Sequence, residues 1–301
     1  MKLPDSSAIH LPDKSIHVSA PSLYIVATPI GNLEDITLRA VRILKEVDVI
    51  ACEDTRQTQK LLNHYGITTR TTSYHEHNEI TRSAELVKDI QEGASVALVT
   101  DAGMPGISDP GYRLITLAIR HHVPVVPIPG ASAFLSALVA SGLPTDSFRF
   151  NGFLPAKHGE RRAALEAIKT SPRTQVFYEA PHRIVEALSD VVEILGSARH
   201  VVIAREVTKL HEEFLRGRAG EILETLGARD GVKGEITLLV GKAEEADARV
   251  GTDAFVRPSV KQRVAQVMAE EKVDEKTALK KVAKERGISK SEAYRELQRS
   301  K

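Results

Sequence analysis

Apolar and polar positions change their period repeatedly along this chain. Short apolar, β-rich runs at Leu23–Thr28, Val47–Cys52, Ser95–Thr100 and Val123–Ile128 predict buried strands. Between them the apolar residues shift to an i, i+3/i+4 spacing. Ile36, Ala40 and Ile43 share one face of a helix over Asp35–Glu46. Thr55–Tyr65, Glu79–Glu92 and Gly111–His121 repeat that pattern, and Ala131–Ser141 is more apolar throughout. Strands alternating with helices predict an α/β domain over 23–145, its sheet mostly parallel and covered on both faces. It closes at Gly142-Leu143-Pro144-Thr145.

A second α/β domain follows over 146–242. Its strands are predicted at Phe148–Phe153, Thr174–Glu179, His200–Arg205, Glu213–Gly217 and Glu235–Gly241, its helices at Glu160–Lys169, Pro181–Leu195 and Ala219–Leu226. The run from Val201 to Gly217 leaves no room for a helical crossover, so this sheet should be mixed. Residues 243–256 read as a linker. Residues 257–301 carry three helix candidates, Ser259–Glu271, Asp274–Arg286 and Ser289–Gln298. The last two have helix-turn-helix spacing, with Gly287 at the C-cap turn and Ser289 as N-cap. Residues 1–22 read as a flexible polar arm.

Composition narrows the class. The lone cysteine, Cys52, excludes an intramolecular disulfide and a cysteine-rich metal cluster, and it reads as a buried thiol at a strand end. The N-terminus lacks a signal peptide's apolar core, and no run of about 18 apolar residues occurs, so a cytoplasmic protein is expected. The net charge of +1 conceals an asymmetry. Residues 257–301 hold 13 Lys and Arg against 7 Asp and Glu, while the rest holds 28 against 33. An acidic body with a basic tail suits a polyanionic partner.

The densest chemical signal is the loop Thr100-Asp101-Ala102-Gly103-Met104-Pro105-Gly106-Ile107-Ser108-Asp109-Pro110-Gly111. It follows a strand and precedes a helix, where open α/β sheets bind ligands. Its glycines permit close backbone approach, and Asp101 and Asp109 offer acceptors. It holds no lysine, so it is not a phosphate-cradling P-loop. Thr28-Pro29-Ile30-Gly31-Asn32 and Pro127-Ile128-Pro129-Gly130-Ala131-Ser132-Ala133 end two further strands. Three such loops on one sheet edge would form a backbone-lined cleft for a small zwitterion or nucleoside. His75-Glu76-His77 has no identifiable third ligand, which favours RNA contact or a mobile loop over zinc.

Taken in order, these loops with Tyr24–Leu33, Cys52-Glu53-Asp54-Thr55-Arg56, Phe177–Arg183, Ala204–Glu212 and Lys233–Thr237 resemble the tetrapyrrole-methylase superfamily. More narrowly they resemble its ribosomal RNA small subunit methyltransferase I branch, which 2′-O-methylates a cytidine of 16S rRNA. The resemblance covers roughly residues 22–241. It implies two α/β domains with S-adenosylmethionine in the cleft between them, usually in a homodimer. On this sequence it puts Pro29 and Gly31 on the floor of the site. Asp101, Ala102, Gly103, Met104, Ile107 and Ser108 would face the methionine and ribose. Gly130, Ala131 and Ser132 would add backbone and hydroxyl contacts. Gly152, Phe153, Ala204, Glu235 and Ile236 would hold the adenine side. The first loop and Thr100-Asp101-Ala102-Gly103 depart from the tetrapyrrole-acting relatives and match the RNA-acting branch.

Methyl transfer from a sulfonium is an in-line displacement, helped by positioning and exclusion of water. A ribose hydroxyl is a poor nucleophile, so an acceptor or a cation should lie nearby. Glu179, His182 and Arg183 end one second-domain strand; Arg205, Glu206 and Lys209 end another; Glu53, Asp54 and Arg56 end a first-domain strand. Each could instead be an interface ion pair. Two rivals remain: a precorrin or uroporphyrinogen methyltransferase, and a non-catalytic RNA-binding protein.

Overall fold

The computed structural model describes residues 21–243, 264, 267–268, 273–286 and 293. The chain forms one compact unit up to Ala243 and a second from Glu244. Most of the arm, the linker and the turn at Gly287-Ile288-Ser289 lie outside the described residues, as do nearly all of the helices expected at Ser259–Glu271 and Ser289–Gln298.

The first unit contains two five-stranded sheets. Strands β1 (Leu23–Val26), β2 (Val49–Cys52), β3 (Thr71–Ser73), β4 (Val96–Val99) and β5 (Val125–Ile128) form the first, in the order β3-β2-β4-β1-β5. Every pairing in it is parallel. Alternate residues feed opposite faces, as the two-residue period of a strand requires. Leu23, Ile25, Val49, Ala51, Val96 and Leu98 pack under helices α3 (Glu79–Gln91) and α4 (Tyr112–Arg120). Tyr24, Val26, Ile50, Cys52, Ala97 and Val99 pack under α1 (Leu38–Glu46) and α2 (Thr55–His64). Cys52 is buried, which raises its thiol pKa.

The second sheet runs β6-β7-β10-β8-β9 from β6 (Phe148–Phe153), β7 (Thr174–Glu179), β8 (His200–Arg205), β9 (Glu213–Arg218) and β10 (Ile236–Val240). Only the β6–β7 pair is parallel, so this sheet is mixed. One face carries α6 (His158–Glu166), α7 (Ile184–Leu195) and α8 (Ala219–Gly227) over Phe177, Val201, Ile203 and Leu238. The other face is covered by α5 (Ala133–Ser141), which leaves the first sheet to lay Phe134, Ala137 and Leu138 on Val176, Val202 and Leu239. Its buried face is Phe134, Ala137, Leu138 and Ser141, while Leu135 and Val139 on its other side are exposed.

The predicted helix over Asp35–Glu46 is broken. A single 3-10 turn at Leu33–Asp35 ends at Ile36, and α1 starts only after Thr37, whose hydroxyl accepts from the Ala40 N–H at 3.1 Å. In the second unit Glu275–Arg286 is helical. Among the described residues no helix is long and apolar enough to cross a membrane.

Candidate active site between the two sheets

The loops after β4, β1 and β5 come from neighbouring strands and meet. Thr28 and Gly103 exchange both backbone hydrogen bonds, at 2.9 and 3.1 Å, and the Thr28 hydroxyl donates to the Thr100 carbonyl at 3.0 Å. Gly103 has a φ of +84°, and a Cβ there would lie 3.5 Å from Ile30 Cγ2 and 3.7 Å from the Ala131 carbonyl. Glycine thus allows the central loop to turn back between the other two.

These loops form one side of a cavity of about 550 Å³. From the first half Ala102, Gly103, Met104, Ile107, Ser108 and Ser132 line it; from the second, Phe153, Ala204, Glu235 and Ile236 do. The other residues expected to hold a cofactor do not line it. Gly130 packs on Ala27, whose Cβ would sit 2.8 Å from an added one. The Asp101 carboxylate accepts from the Asp54 N–H at 3.3 Å. Pro29 and Ala131 adjoin the wall residues Ile30 and Ser132 along the chain, and Gly31 lies against Lys209. Gly152, at φ +69°, sits where the β6–β7 register shifts between Phe150 and Phe153. Its part is to aim Phe153, since a bulge redirects the side chain that follows it.

Sequence reasoning missed several wall residues, among them Phe134, Tyr178, Val207, Gly234 and Thr237. Phe134 stacks on Phe150 at 4.5 Å, and Tyr178 meets Phe150 at 5.0 Å and Phe153 at 5.6 Å, both edge-on. Phe134, Phe153 and Tyr178 thus give the cavity an apolar aromatic side, with Phe150 bracing Phe134 and Tyr178 from behind. Asp109, noted in its loop as an acceptor, also lines the cavity. Burial and the neighbouring Glu53 push its carboxyl up to about 6, against an opposing bond from Thr100.

The proposed proton-handling groups separate. Glu179, Glu206 and Lys209 line the cavity; His182, Arg183 and Arg205 do not. Glu179 is buried and accepts from the Ala180 N–H at 2.7 Å and from Arg183 at 2.6 Å. His182 is exposed. Arg205 turns to Glu213 at 2.9 Å, which also binds Arg229 at 2.7 Å. The Arg229 bond, with the lesser help of Arg205, holds the Glu213 carboxyl at about 2 against burial. Glu206 and Glu235 bracket the Lys209 ammonium at 3.0 and 3.1 Å. On the first half, Glu53 accepts from the Thr100 hydroxyl at 3.0 Å, and Asp54 caps α2 through the Arg56 N–H at 2.8 Å. His75 and His77 stand 6.0 Å apart, and no group of three potential metal ligands occurs among the described residues.

A parallel sheet and a mixed sheet meeting at a nucleoside-sized cleft are the architecture of the tetrapyrrole-methylase class. The family described as tetrapyrrole (corrin/porphyrin) methylases matches residues 22–223, and the chain belongs to it. Within that family the chain is 51% identical over 275 residues to the ribosomal RNA small subunit methyltransferase I of Halalkalibacterium halodurans, spanning 91% of this chain and 93% of that one. It is 49% identical to the protein of that name from Escherichia coli O157:H7, over 76% of this chain and 81% of that one. These likenesses place it in the small subunit methyltransferase I branch. The fold is also that of the Thermus thermophilus uroporphyrin-III-C-methyltransferase, with a TM-score of 0.52 at 20% identity, covering 74% of this chain and 95% of that one.

Proposed function

We propose that this protein methylates the 2′-hydroxyl of a cytidine in 16S rRNA of the small ribosomal subunit, taking the methyl group from S-adenosylmethionine. The observation that carries this reading is a cavity walled by loops of both sheets, in a chain half identical to a small subunit methyltransferase I over nine-tenths of its length.

The wall residues fit S-adenosylmethionine. Its volume class suits the cavity. The sulfonium and ammonium charges suit a wall carrying Asp109, Glu179, Glu206 and Glu235. Ser132 and Ala133 bring the first turn of α5 to the cavity, where its unpaired N–H groups favour a carboxylate. Ala102, Gly103, Met104, Ile107 and Ser108 would hold the methionine and ribose portions; Phe153, Ala204 and Ile236 would hold the adenine. When bound, the cofactor supplies an electrophilic methyl carbon on sulfur. The chain's own part is to orient the ribose hydroxyl, exclude water and manage its proton. Glu179, Glu206 and Lys209 are the groups on the wall able to do so.

The protein works in this reading as a cytoplasmic homodimer, its basic tail meeting rRNA phosphates. Sedimentation equilibrium at twice the 32.9 kDa chain mass checks the dimer. The activity is tested with radiolabelled S-adenosylmethionine on unmodified small subunits, naked 16S rRNA and a uroporphyrinogen control. Label in an alkali-resistant dinucleotide containing cytidine is the expected result. Label only in the porphyrin would overturn the substrate, and no label would overturn the enzyme.

A further inference from the structure

We propose that Lys209 is a catalytic cation, its third ammonium hydrogen meeting the substrate oxygen as that oxygen is methylated. This rests on the methyltransferase reading above.

An ammonium group has three N–H donors and no acceptor. Two of those on Lys209 are engaged, by Glu206 Oε1 at 3.0 Å and by Glu235 Oε2 at 3.1 Å. All three residues line the cavity, and no other partner for Nζ occurs among the described residues. The third donor is therefore available to a ligand. The two carboxylates outweigh burial and raise the Lys209 pKa, so the group is a fixed positive donor and not a base.

The surrounding backbone is built to hold this triad. A Cβ on Gly31 would fall 2.3 Å from Lys209 Cγ, and one on Gly234 would fall 2.4 Å from Glu206 Cγ. Gly31 belongs to the first half and Gly234 to the second, so the absence of both side chains seats the triad from either side of the cleft. Glu206 also accepts from the Glu235 N–H at 2.8 Å, which fixes the carboxylate that fixes Lys209. Glu206 and Thr208 take φ values of +52° and +69°, in the left-handed region that residues with side chains seldom adopt. Such strain gathers at working sites, where the surroundings hold it in place. Glu206 is by this geometry a positioning residue.

The chemistry needs such a donor. The substrate oxygen gains a bond to the methyl carbon as the carbon–sulfur bond breaks; the electron pair stays on sulfur and the hydroxyl proton passes to the wall carboxylate of Glu179, whose Oε2 has no other partner among the described residues. A fixed cation within hydrogen-bond reach lowers the hydroxyl pKa and stabilises the negative charge that the oxygen takes on as its proton leaves.

The test compares Lys209→Met and Lys209→Ala with wild-type enzyme on small subunits, alongside calorimetry of S-adenosylmethionine binding and a thermal melt. Turnover should fall by about 100-fold or more. Cofactor affinity and melting temperature should hold. Ethylammonium should partly restore Lys209→Ala, and Glu206→Gln should lower turnover with cofactor affinity intact. Wild-type turnover in Lys209→Met would overturn the proposal. So would a parallel loss of cofactor affinity or folding without amine rescue, which would make Lys209 a binding or structural group. A wild-type enzyme inactive on rRNA would overturn the underlying reading instead.

Discussion

Asp109 shows how much one side chain's surroundings decide. Its carboxyl titrates at about 6 because burial and then Glu53 disfavour its charge, while the unfolded chain keeps the ordinary value of 3.8. Between these two values the folded protein holds the proton more tightly than the unfolded one. The stability this group contributes is complete below the unfolded value and is lost as pH rises through about 6. Asp109→Asn should therefore stabilise the protein at pH 8 relative to wild type, by about 1 kcal/mol once partial exposure is discounted, and the advantage should vanish near pH 4. Urea unfolding of both proteins at the two pH values checks this; an equal difference at both would mean that Asp109 ionises freely. A bound sulfonium would favour the charged carboxylate, so wild-type cofactor affinity should fall below pH 6 and that of the variant should not.

At the scale of elements, α6 and α7 are joined by a buried cation. Arg161 is fully buried and binds Asp190 at 2.6 Å and Glu186 at 2.6 Å. Removing one partner of a buried pair leaves the other charge stranded. Arg161→Met should cost about 3 kcal/mol, at the lower end of such losses, because Arg162 at 3.4 Å and His158 at 3.1 Å still reach Asp190. A loss well below 1 kcal/mol in urea unfolding would show that these two suffice. This network could not be read from sequence, since nothing in the spacing of Arg161 and Asp190 brings them together. What could be read were elements with a strong period: β6, β7 and β8 begin and end where the apolar runs do. Strand β3 was invisible, being three half-buried polar residues with no apolar run of their own, paired in parallel to β2. The site divides in the same way. Glycine-dense loops announced themselves through composition, whereas Phe134, Tyr178 and Thr237 reach the cavity only because α5 and the second sheet close over the loops of the first. Gly31 was legible as unusual, but its neighbour Lys209 lies 178 positions away, and no local pattern links them.

The whole molecule is two units with different chemistry. The first is tied off at its end, where the Ala243 N–H donates to the Ser171 carbonyl at 2.9 Å. The second has its own apolar cluster, in which Ala278, Leu279, Val282 and Ala283 of the Glu275–Arg286 helix join Val264, Val267 and Ala293. That helix leaves Lys276, Lys280 and Lys281 exposed. Cluster and charge together describe a unit that folds around its own core and presents cations outward. Truncation after Ala243 should accordingly leave the melting temperature of the body and its cofactor affinity nearly unchanged. It should weaken binding to the small subunit and flatten the dependence of log affinity on log salt, by about 0.7–0.9 for each phosphate that the tail neutralises. Filter binding across a salt series, run beside calorimetry, separates the cases. An unaltered slope would mean that the tail touches no phosphate and that the rim of the cleft alone holds the RNA, whereas a fall in cofactor affinity would mean that the body depends on the tail for its own shape.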